Sequence, residues 1–286
     1  MKILVLGSNG MAGHMLVQYF HEKGYNVTAF AREKGHYAQQ IVGDAMDGNE
    51  LRKVLCENAY DIVINAIGVL NQAVDRNLAN GIYINSVLPH FLAEVLEETR
   101  TRLFHISTDC VFSGKRGNYE ETSSPDENSY YGRSKALGEI RDEKNLTIRT
   151  SIIGPELKSS GVGLYHWFMQ QHGCVHGFVN VLWSGVTTLE LAKAMDAAIQ
   201  QNLTGLYHLS NNQKISKFEL LRLLNKHMRN NEISIMPDDF AVSDKSLKNT
   251  RTDFQYQIPD YEFMIEELAV WIREHRNLYT QYNIKG

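Results

Sequence analysis

The segment NSYYGRSKALGEI, residues 128–140, places Tyr131 four residues before Lys135. Residues four apart share one face of a helix, so the phenol and the ammonium can meet. A cation beside a phenol favours the phenolate and lowers a pKa that starts near ~10. Such a tyrosine can give or take a proton near neutral pH. Tyr130 has Ser134 at the same offset, so only Tyr131 fits the pairing. Spacing alone also suits an ordinary Tyr and Lys on a solvated helix; a third residue adds weight. RLFHIST (102–108) reads as a strand ending on Thr108. A hydroxyl at the carboxyl end of a parallel strand points into the crevice where ligands bind. Thr108 and Tyr131 could then hydrogen-bond one reacting carbonyl oxygen, and Thr108, Tyr131 and Lys135 form the expected catalytic set.

A second motif opens the chain. GSNGMAGHML (7–16) directly follows the apolar run KILVL (2–6) and begins a helical pattern. Gly7, Gly10 and Gly13 permit a tight turn and close approach of backbone N–H groups to a phosphate, at the positive end of a helix. Dinucleotide binding is expected there, with Asn9 and Met11 in the same loop; the plainer reading is a tight turn with one helix–strand packing glycine. The second strand ends TAFAREKG (28–35). An acidic residue at that place would accept hydrogen bonds from a ribose diol. Arg32 stands there instead, and a guanidinium suits a 2′-phosphate. NADP(H) is therefore expected over NAD(H), which Glu33, next door, keeps open; Arg32 could also be an exposed loop charge.

Bulk properties narrow the class. The 286 residues are 43% apolar and 22% charged, ordinary for a soluble globular chain and long enough for one large α/β domain with a smaller one appended. A net charge of −4 advertises neither nucleic acid nor an anionic membrane as the partner. Cys56, Cys110 and Cys174 are far apart and fit no disulfide framework, which points to a reducing cytoplasm. No secretory signal and no run of eighteen apolar residues is present.

The elements that must position these residues alternate. Strands are expected at 2–6, 25–30, 39–43, 61–68, 102–108 and 146–153. Helices are expected from Met11, then at 48–58, 83–98 and 129–142. This is the pattern of an α/β, Rossmann-type, doubly wound parallel sheet. Further on, helices are expected near 163–171, 188–201, 216–227 and 261–275, with GLYHLS (205–210) as a strand returning to the main sheet. The domain division is 1–154 plus about 181–210 for cofactor binding. Residues 155–180 and 211–286 form a smaller, discontinuous substrate lobe.

The GxxGxxG spacing resembles the extended short-chain dehydrogenase/reductase superfamily. STDCVFSGKRGNYEETSSPDENSYYGRSKALGE (107–139) resembles the dTDP-4-dehydrorhamnose reductase family, whose usual form runs STDYVFDG, an acidic proline-containing loop, then YGxSKxxGE. RTSIIGP (149–155) and TRTDF (250–254) look similar too. The resemblance implies hydride transfer from a nicotinamide to the C4 keto group of a nucleotide-linked 6-deoxy sugar. Tyr131 would donate the proton, Lys135 would tune it and hold the nicotinamide ribose, and Thr108 would orient the carbonyl. It also implies that Asp44, beside Ala45, reaches the adenine amino group, and that Asn65, Ala66 and Gly68 flank the middle of the cofactor. Asp109, Cys110 and Val111, next to Thr108, fall on the substrate side. So do Trp183 and Arg251, and Met11 could also face the substrate. Each has a plainer role: Trp183 in the lobe core, Arg251 in a surface ion pair, Met11 in helix packing.

Two departures bear on the substrate. Cys110 replaces the usual tyrosine, and GFVNVLWSGVTTLELA (177–192) lacks the usual acidic-Gln-Gly-x-Pro-Thr pattern. A UDP-linked 4-keto-6-deoxy N-acetyl sugar is the alternative within the same chemistry. Related dehydratases carry an acid at position 110, so a 4,6-dehydratase is disfavoured. A nucleotide-sugar epimerase and a non-catalytic cofactor-binding regulatory subunit are the other readings. HGCVHG (172–177) gathers His172, Cys174 and His176, but a surface loop is preferred there and no metal is expected. Cys56 reads as core filler on an amphipathic helix. The tail, 272–286, reads as a packed or frayed end. The expected assembly is a monomer or homodimer.

Overall fold

In the computed structural model, which describes residues 1–282, KILVL forms β1 (Lys2–Leu6), with Ile3, Leu4, Val5 and Leu6 fully buried. A continuous apolar run needs cover on both faces. Ile3 and Val5 join one core with α1 (Met11–Glu22), and Leu4 and Leu6 join a second core on the other face. Then follow β2 (Asn26–Ala31), β3 (Gln40–Val42), α2 (Gly48–Glu57), β4 (Ile62–Asn65), α3 (Asn71–Arg76), α4 (Leu78–Ile82), α5 (Leu88–Leu96), β5 (Arg102–Thr108), α6 (Tyr130–Leu137), β6 (Leu146–Thr150) and β7 (Ile152–Ile153). The second half contains α7 (Leu164–Met169), β8 (Cys174–Trp183), β9 (Val186–Thr187), α8 (Thr188–Gln200), β10 (Gly205–His208), β11 (Ile215–Ser216), α9 (Lys217–Met228), β12 (Ser234–Asp244) and α10 (Tyr261–Glu274).

Seven strands make one sheet, in the order β10-β6-β5-β4-β1-β2-β3, with every neighbouring pair parallel. Strand order reverses between β1 and β4, the topological switch at which open α/β sheets bind ligands. β10 takes the edge beside β6. A second sheet, β11-β8-β12, belongs to the later half and packs with α9.

Several expectations change in detail. The helix expected at 83–98 starts as a π-helical turn, Tyr83–Val87, before α5. The strand expected at 61–68 ends at Asn65, because Ala66 to Gly68 turn away to line a cleft. Residues 174–177 open the strand β8 rather than a loop, and β8 runs across residue 180. β12 was not expected, since Pro237 and the Asp238–Asp239 pair interrupt its pattern. As an edge strand with a register shift between Asp238 and Val242, it tolerates both. Cys56 is exposed, not core filler, because α2 buries Leu51, Val54 and Leu55 instead. Tyr279 and Tyr282 of the tail are buried; its last four residues lie outside the described ones.

Behind α6 lies a buried charge pair. Arg149 in β6 donates from Nε to Glu139 Oε1 at 2.6 Å and from Nη2 to Oε2 at 2.7 Å, and both side chains are fully buried. Ser107 Oγ in β5 donates to the same carboxylate at 2.9 Å, and Arg149 Nη1 reaches His208 Nε2 in β10 at 3.2 Å. Burial pushes the Glu139 carboxyl up, but the Arg149 hydrogen bonds and charge outweigh it and hold the group below the usual carboxylate range. Removing Glu139 leaves the Arg149 charge buried without its carboxylate. Glu139→Gln is expected to destabilise the fold by about 3–5 kcal/mol, read as a lower urea midpoint with an unchanged slope.

Candidate active site

The glycine loop forms because β1 must turn sharply into α1. Gly7 has φ +82°, and a Cβ on Gly13 would lie 2.1 Å from the Gly7 carbonyl oxygen. Gly13 is therefore the packing glycine, and Gly7 and Gly10 face a cleft of about 540 Å³. Asn9, Met11, Arg32, Asp44, Ala45, Ala66 and Gly68 line the same cleft. So do Glu156, Leu157 and Lys158 of the loop after β7, which sequence patterning did not point to. That loop is tied across the cleft by Lys158 Nζ to Glu33 Oε2 at 2.8 Å. Glu33 is thereby engaged, whereas Arg32 makes no hydrogen bond or ion pair among the described residues. Ser8 Oγ and Asn9 Oδ1 are buried without a hydrogen-bond partner. A glycine cradle and unpartnered polar atoms fit a dinucleotide.

A second tie fixes the loop from outside. His14 Nδ1 donates to the Gly10 carbonyl at 2.9 Å, and Tyr279 Oη donates to His14 Nε2 at 3.0 Å. Burial lowers the His14 pKa to about 4, so the ring stays neutral, as this tautomer requires.

The three expected catalytic residues converge at the carboxyl ends of β5 and β4. Ser129 caps α6, its hydroxyl accepting the Gly132 N–H at 3.2 Å. A Cβ on Gly132 would lie 2.4 Å from the Cys110 carbonyl oxygen, so glycine lets α6 close onto the Thr108–Cys110 turn. Thr108 Oγ1 donates to Asp109 Oδ1 at 3.1 Å and accepts the Cys110 N–H at 3.1 Å. Tyr131 is buried beside it. Burial and the neighbouring Cys110 push the phenol up, while a hydrogen bond with Thr108 pulls it down; the net is well above its ordinary value. The expected lowering by Lys135 is absent. That ammonium donates to the Ile106 carbonyl at 2.8 Å and lies 3.4 Å from His105 Nε2. Burial pushes Lys135 down to about 8 despite Glu139, one helical turn on. Tyr131 is thus held protonated, the state a proton donor needs.

Support residues brace this set: Asn65, expected to flank the cofactor, is turned to His105 and the Ile67 N–H instead, and Asn85 escaped the sequence pattern. Asn65 accepts the Ile67 N–H at 3.1 Å and donates from Nδ2 to His105 Nδ1 at 3.2 Å, fixing the ring beside Lys135. Asn85, in the π-helical turn, bonds Val69 N, Val69 O and Ser134 Oγ, joining α6 to the cleft wall. A π turn at a functional site is a recurrent pairing, but one sequence does not reveal it. Glu139 was visible as the acid four residues after Lys135. Lys217 and Lys245 lie electrostatically close to Asp109 and Cys110.

The expected substrate residues divide. Asp109 and Cys110 border Tyr131, and burial keeps the Cys110 thiol protonated, up at about 12. Val111 is fully buried in a small core with Phe112, Tyr119 and Leu247, so its side chain packs there and does not face the cleft. Trp183 is buried at the end of β8, against Tyr261 and beneath Lys217. Arg251 is placed elsewhere. It pairs with Asp253 and donates to the Thr204 and Leu206 carbonyls. Those atoms sit at the amino end of β10, opposite the cleft. No group of three or more His, Cys, Asp or Glu among the described residues is placed to hold a metal ion, and no helix is long and apolar enough to cross a membrane.

The model of the RmlD substrate binding domain matches residues 1–252. The chain belongs to this family. It is thereby an extended short-chain dehydrogenase/reductase, an oxidoreductase that uses a nicotinamide cofactor. A curated relative is the spore coat polysaccharide biosynthesis protein SpsK of Bacillus subtilis (strain 168), 28% identical over 226 residues, which are 76% of each chain. Another is the probable low-salt glycan biosynthesis reductase Agl14 of Haloferax volcanii, 31% identical over 150 residues, 50% of this chain and 49% of that protein. The dTDP-4-dehydrorhamnose reductase of Bacillus anthracis str. Ames, solved in complex with NADP, superposes with a TM-score of 0.81 at 20% identity, over 94% of this chain and 99% of that one. At that identity the likeness speaks to the fold.

Two outcomes follow from the geometry. Gly13→Ala forces a Cβ into the Gly7 carbonyl, a strain of about 1–3 kcal/mol. Cofactor affinity is expected to fall about tenfold or more, measured by quenching of protein fluorescence on titration with NADPH. Stability is expected to fall as pH drops from 6.5 toward 4. Burial holds His14, His105 and His208 neutral when folded, so in that window the unfolded chain binds more protons. Chemical unfolding across the window measures the slope, which His14→Gln should flatten.

Proposed function

We propose that this protein reduces the C4 keto group of a nucleotide-linked 4-keto-6-deoxy sugar at the expense of NADPH. The carrying observation is the convergence of Thr108, Tyr131 and Lys135 at the sheet's carboxyl edge, joined through Asn85 to a glycine-loop cleft. The names of the relatives, a glycan biosynthesis reductase and a dTDP-4-dehydrorhamnose reductase, support the substrate class. The engagement of Glu33 by Lys158, with Arg32 free, supports NADPH over NADH. We extend the proposal to a two-part organisation, in which 1–154 with β10 holds the cofactor and the later segments hold the sugar nucleotide.

When bound, the dihydronicotinamide supplies the hydride. Gly7, Gly10, Asn9 and Arg32 would hold the phosphates, and Lys135 the nicotinamide ribose. Thr108 and Tyr131 position the substrate carbonyl. As the alkoxide forms, Tyr131 donates its phenolic proton to that oxygen, and its hydrogen bond with Thr108, the influence that favours the phenolate, supports the oxygen left behind. Holding the phenol protonated until that moment suits a reductase.

Loss of nicotinamide absorbance would be followed with a panel of dTDP- and UDP-linked 4-keto-6-deoxy sugars, N-acetylated members included. One panel member is expected to be turned over, faster with NADPH than with NADH. Tyr131→Phe should bind NADPH normally and lower kcat by about 10²–10⁴-fold. Unchanged turnover in that variant would overturn the mechanism. Silence across the panel with tight NADPH binding would favour a cofactor-binding regulatory role.

A further inference from the structure

Residues 156–163 form a strap across the cofactor cleft. Its two ends are tied together, the Gly163 N–H donating to Glu156 Oε1 at 2.7 Å. The tail pins it from outside: the buried Tyr282 accepts the Glu156 N–H at 3.0 Å, and Gln281 donates to the Glu156 carbonyl. One end rests on the start of α1, where a Cβ on Gly163 would lie 3.4 Å from Met11 Sδ. Further along, the strap reaches the residues after β2, and Lys158 Nζ meets Glu33 Oε2 at 2.8 Å. Leu157, beside Lys158, packs against the core on the α1 side of the sheet.

The end of β2 is where a sheet of this class meets the adenosine ribose of a dinucleotide. Among the described residues lining the cleft, Arg32 and Lys158 are the cations, and both stand at that end. Glu33 adjoins each of them, next to Arg32 in sequence and bonded to Lys158. Lys158 Nζ is therefore one hydrogen bond from the carboxylate that would accept a ribose diol. Both side chains of the pair are exposed, 54% for Lys158 and 69% for Glu33, and an exposed pair contributes little to stability. Lys158 thus exchanges partners at small cost. A ribose 2′-phosphate carries more negative charge than a carboxylate, with three acceptor oxygens, and is the stronger partner. A ribose diol carries no charge and has to draw Glu33 away from Lys158.

We infer that Lys158 is a cofactor-selecting residue, which leaves Glu33 to bind the 2′-phosphate of NADPH together with Arg32. The two cations come from opposite walls of the cleft, Arg32 from the end of β2 and Lys158 from the strap. Glu33 plays the converse part, because while Lys158 holds it, it is denied to the diol of NADH. The assignment rests on the NADPH reading above and names a residue that reading lacks. Lys158 takes no part in proton or hydride transfer.

The test uses two ligands that differ only at the ribose. Adenosine 2′,5′-bisphosphate and AMP would each be titrated calorimetrically into the full chain. Wild type is expected to bind the bisphosphate at least about tenfold more tightly. Lys158→Met should cut that advantage by about tenfold. AMP binding should be unchanged or tighter, and the melting temperature unchanged, since the lost ion pair is exposed. Lys158→Arg should restore part of the advantage. Glu33→Gln, which removes the competing carboxylate, should keep or raise it. An advantage retained in Lys158→Met overturns the assignment and leaves the 2′-phosphate to Arg32. An equal loss for both ligands, or a loss in Glu33→Gln as large as in Lys158→Met, also overturns it, because either makes the ion pair a structural tie alone. Wild type with no preference for the bisphosphate overturns both the assignment and the choice of NADPH. Turnover of the sugar panel is read separately, so a silent panel with the Lys158 effect intact removes the reductase reading and retains the selection.

Discussion

The Glu139–Arg149 pair is the constraint on which the site depends. Two opposite charges taken out of water are expensive unless geometry and hydrogen bonding are nearly complete. Here both Glu139 oxygens are used by Arg149, and Ser107 adds a third bond. The pair stitches the end of α6 to β5, β6 and, through His208, β10. Tyr131 and Lys135 project from the helix it anchors, and Thr108 from the strand. A displacement of α6 would break a bidentate bond in the interior, so this helix has one resting place. Asn85 and the glycine contact at Cys110 fix the other end of the same helix.

Electrostatics at the site runs against the simplest reading of a Tyr–Lys pair. Lys135 spends its donors on the Ile106 carbonyl and sits beside His105, a ring that burial keeps neutral. The phenol, buried next to an uncharged thiol, favours its protonated form. In the proposed reduction the phenol would keep its proton until a negative oxygen develops within reach. This order suits reduction, in which proton transfer answers the charge created by hydride arrival.

The sheet was legible because β1 and β4 are nearly continuous apolar runs and must be buried on both faces. The glycine spacing and the YxxxK pair were legible because turn and helix geometry fix where such residues point. What failed did so for physical reasons. Arg251 has the right charge for a pyrophosphate but sits at the wrong end of β10, and the end of a strand on which a distant residue lands is a tertiary property. Val111 follows Cys110 by one residue, yet the 3-10 turn there rotates it into a core. Lys135 has the right spacing, but the destination of its donors depended on a carbonyl and a histidine one strand away. Asn85 and Lys158 come from segments that meet the site only after the chain has folded back.

The tie from Gly10 through His14 to Tyr279 spans 265 positions of sequence. It bears on the order in which the chain is made. The glycine loop and all seven strands of the main sheet precede Tyr279 in the order of synthesis. The partner that locks the His14 ring is made after the whole of that sheet. A nascent chain released or stalled before that point carries a complete Rossmann sheet with an unlatched phosphate loop. The latch on the glycine loop is thus added to a sheet whose strands have all been made.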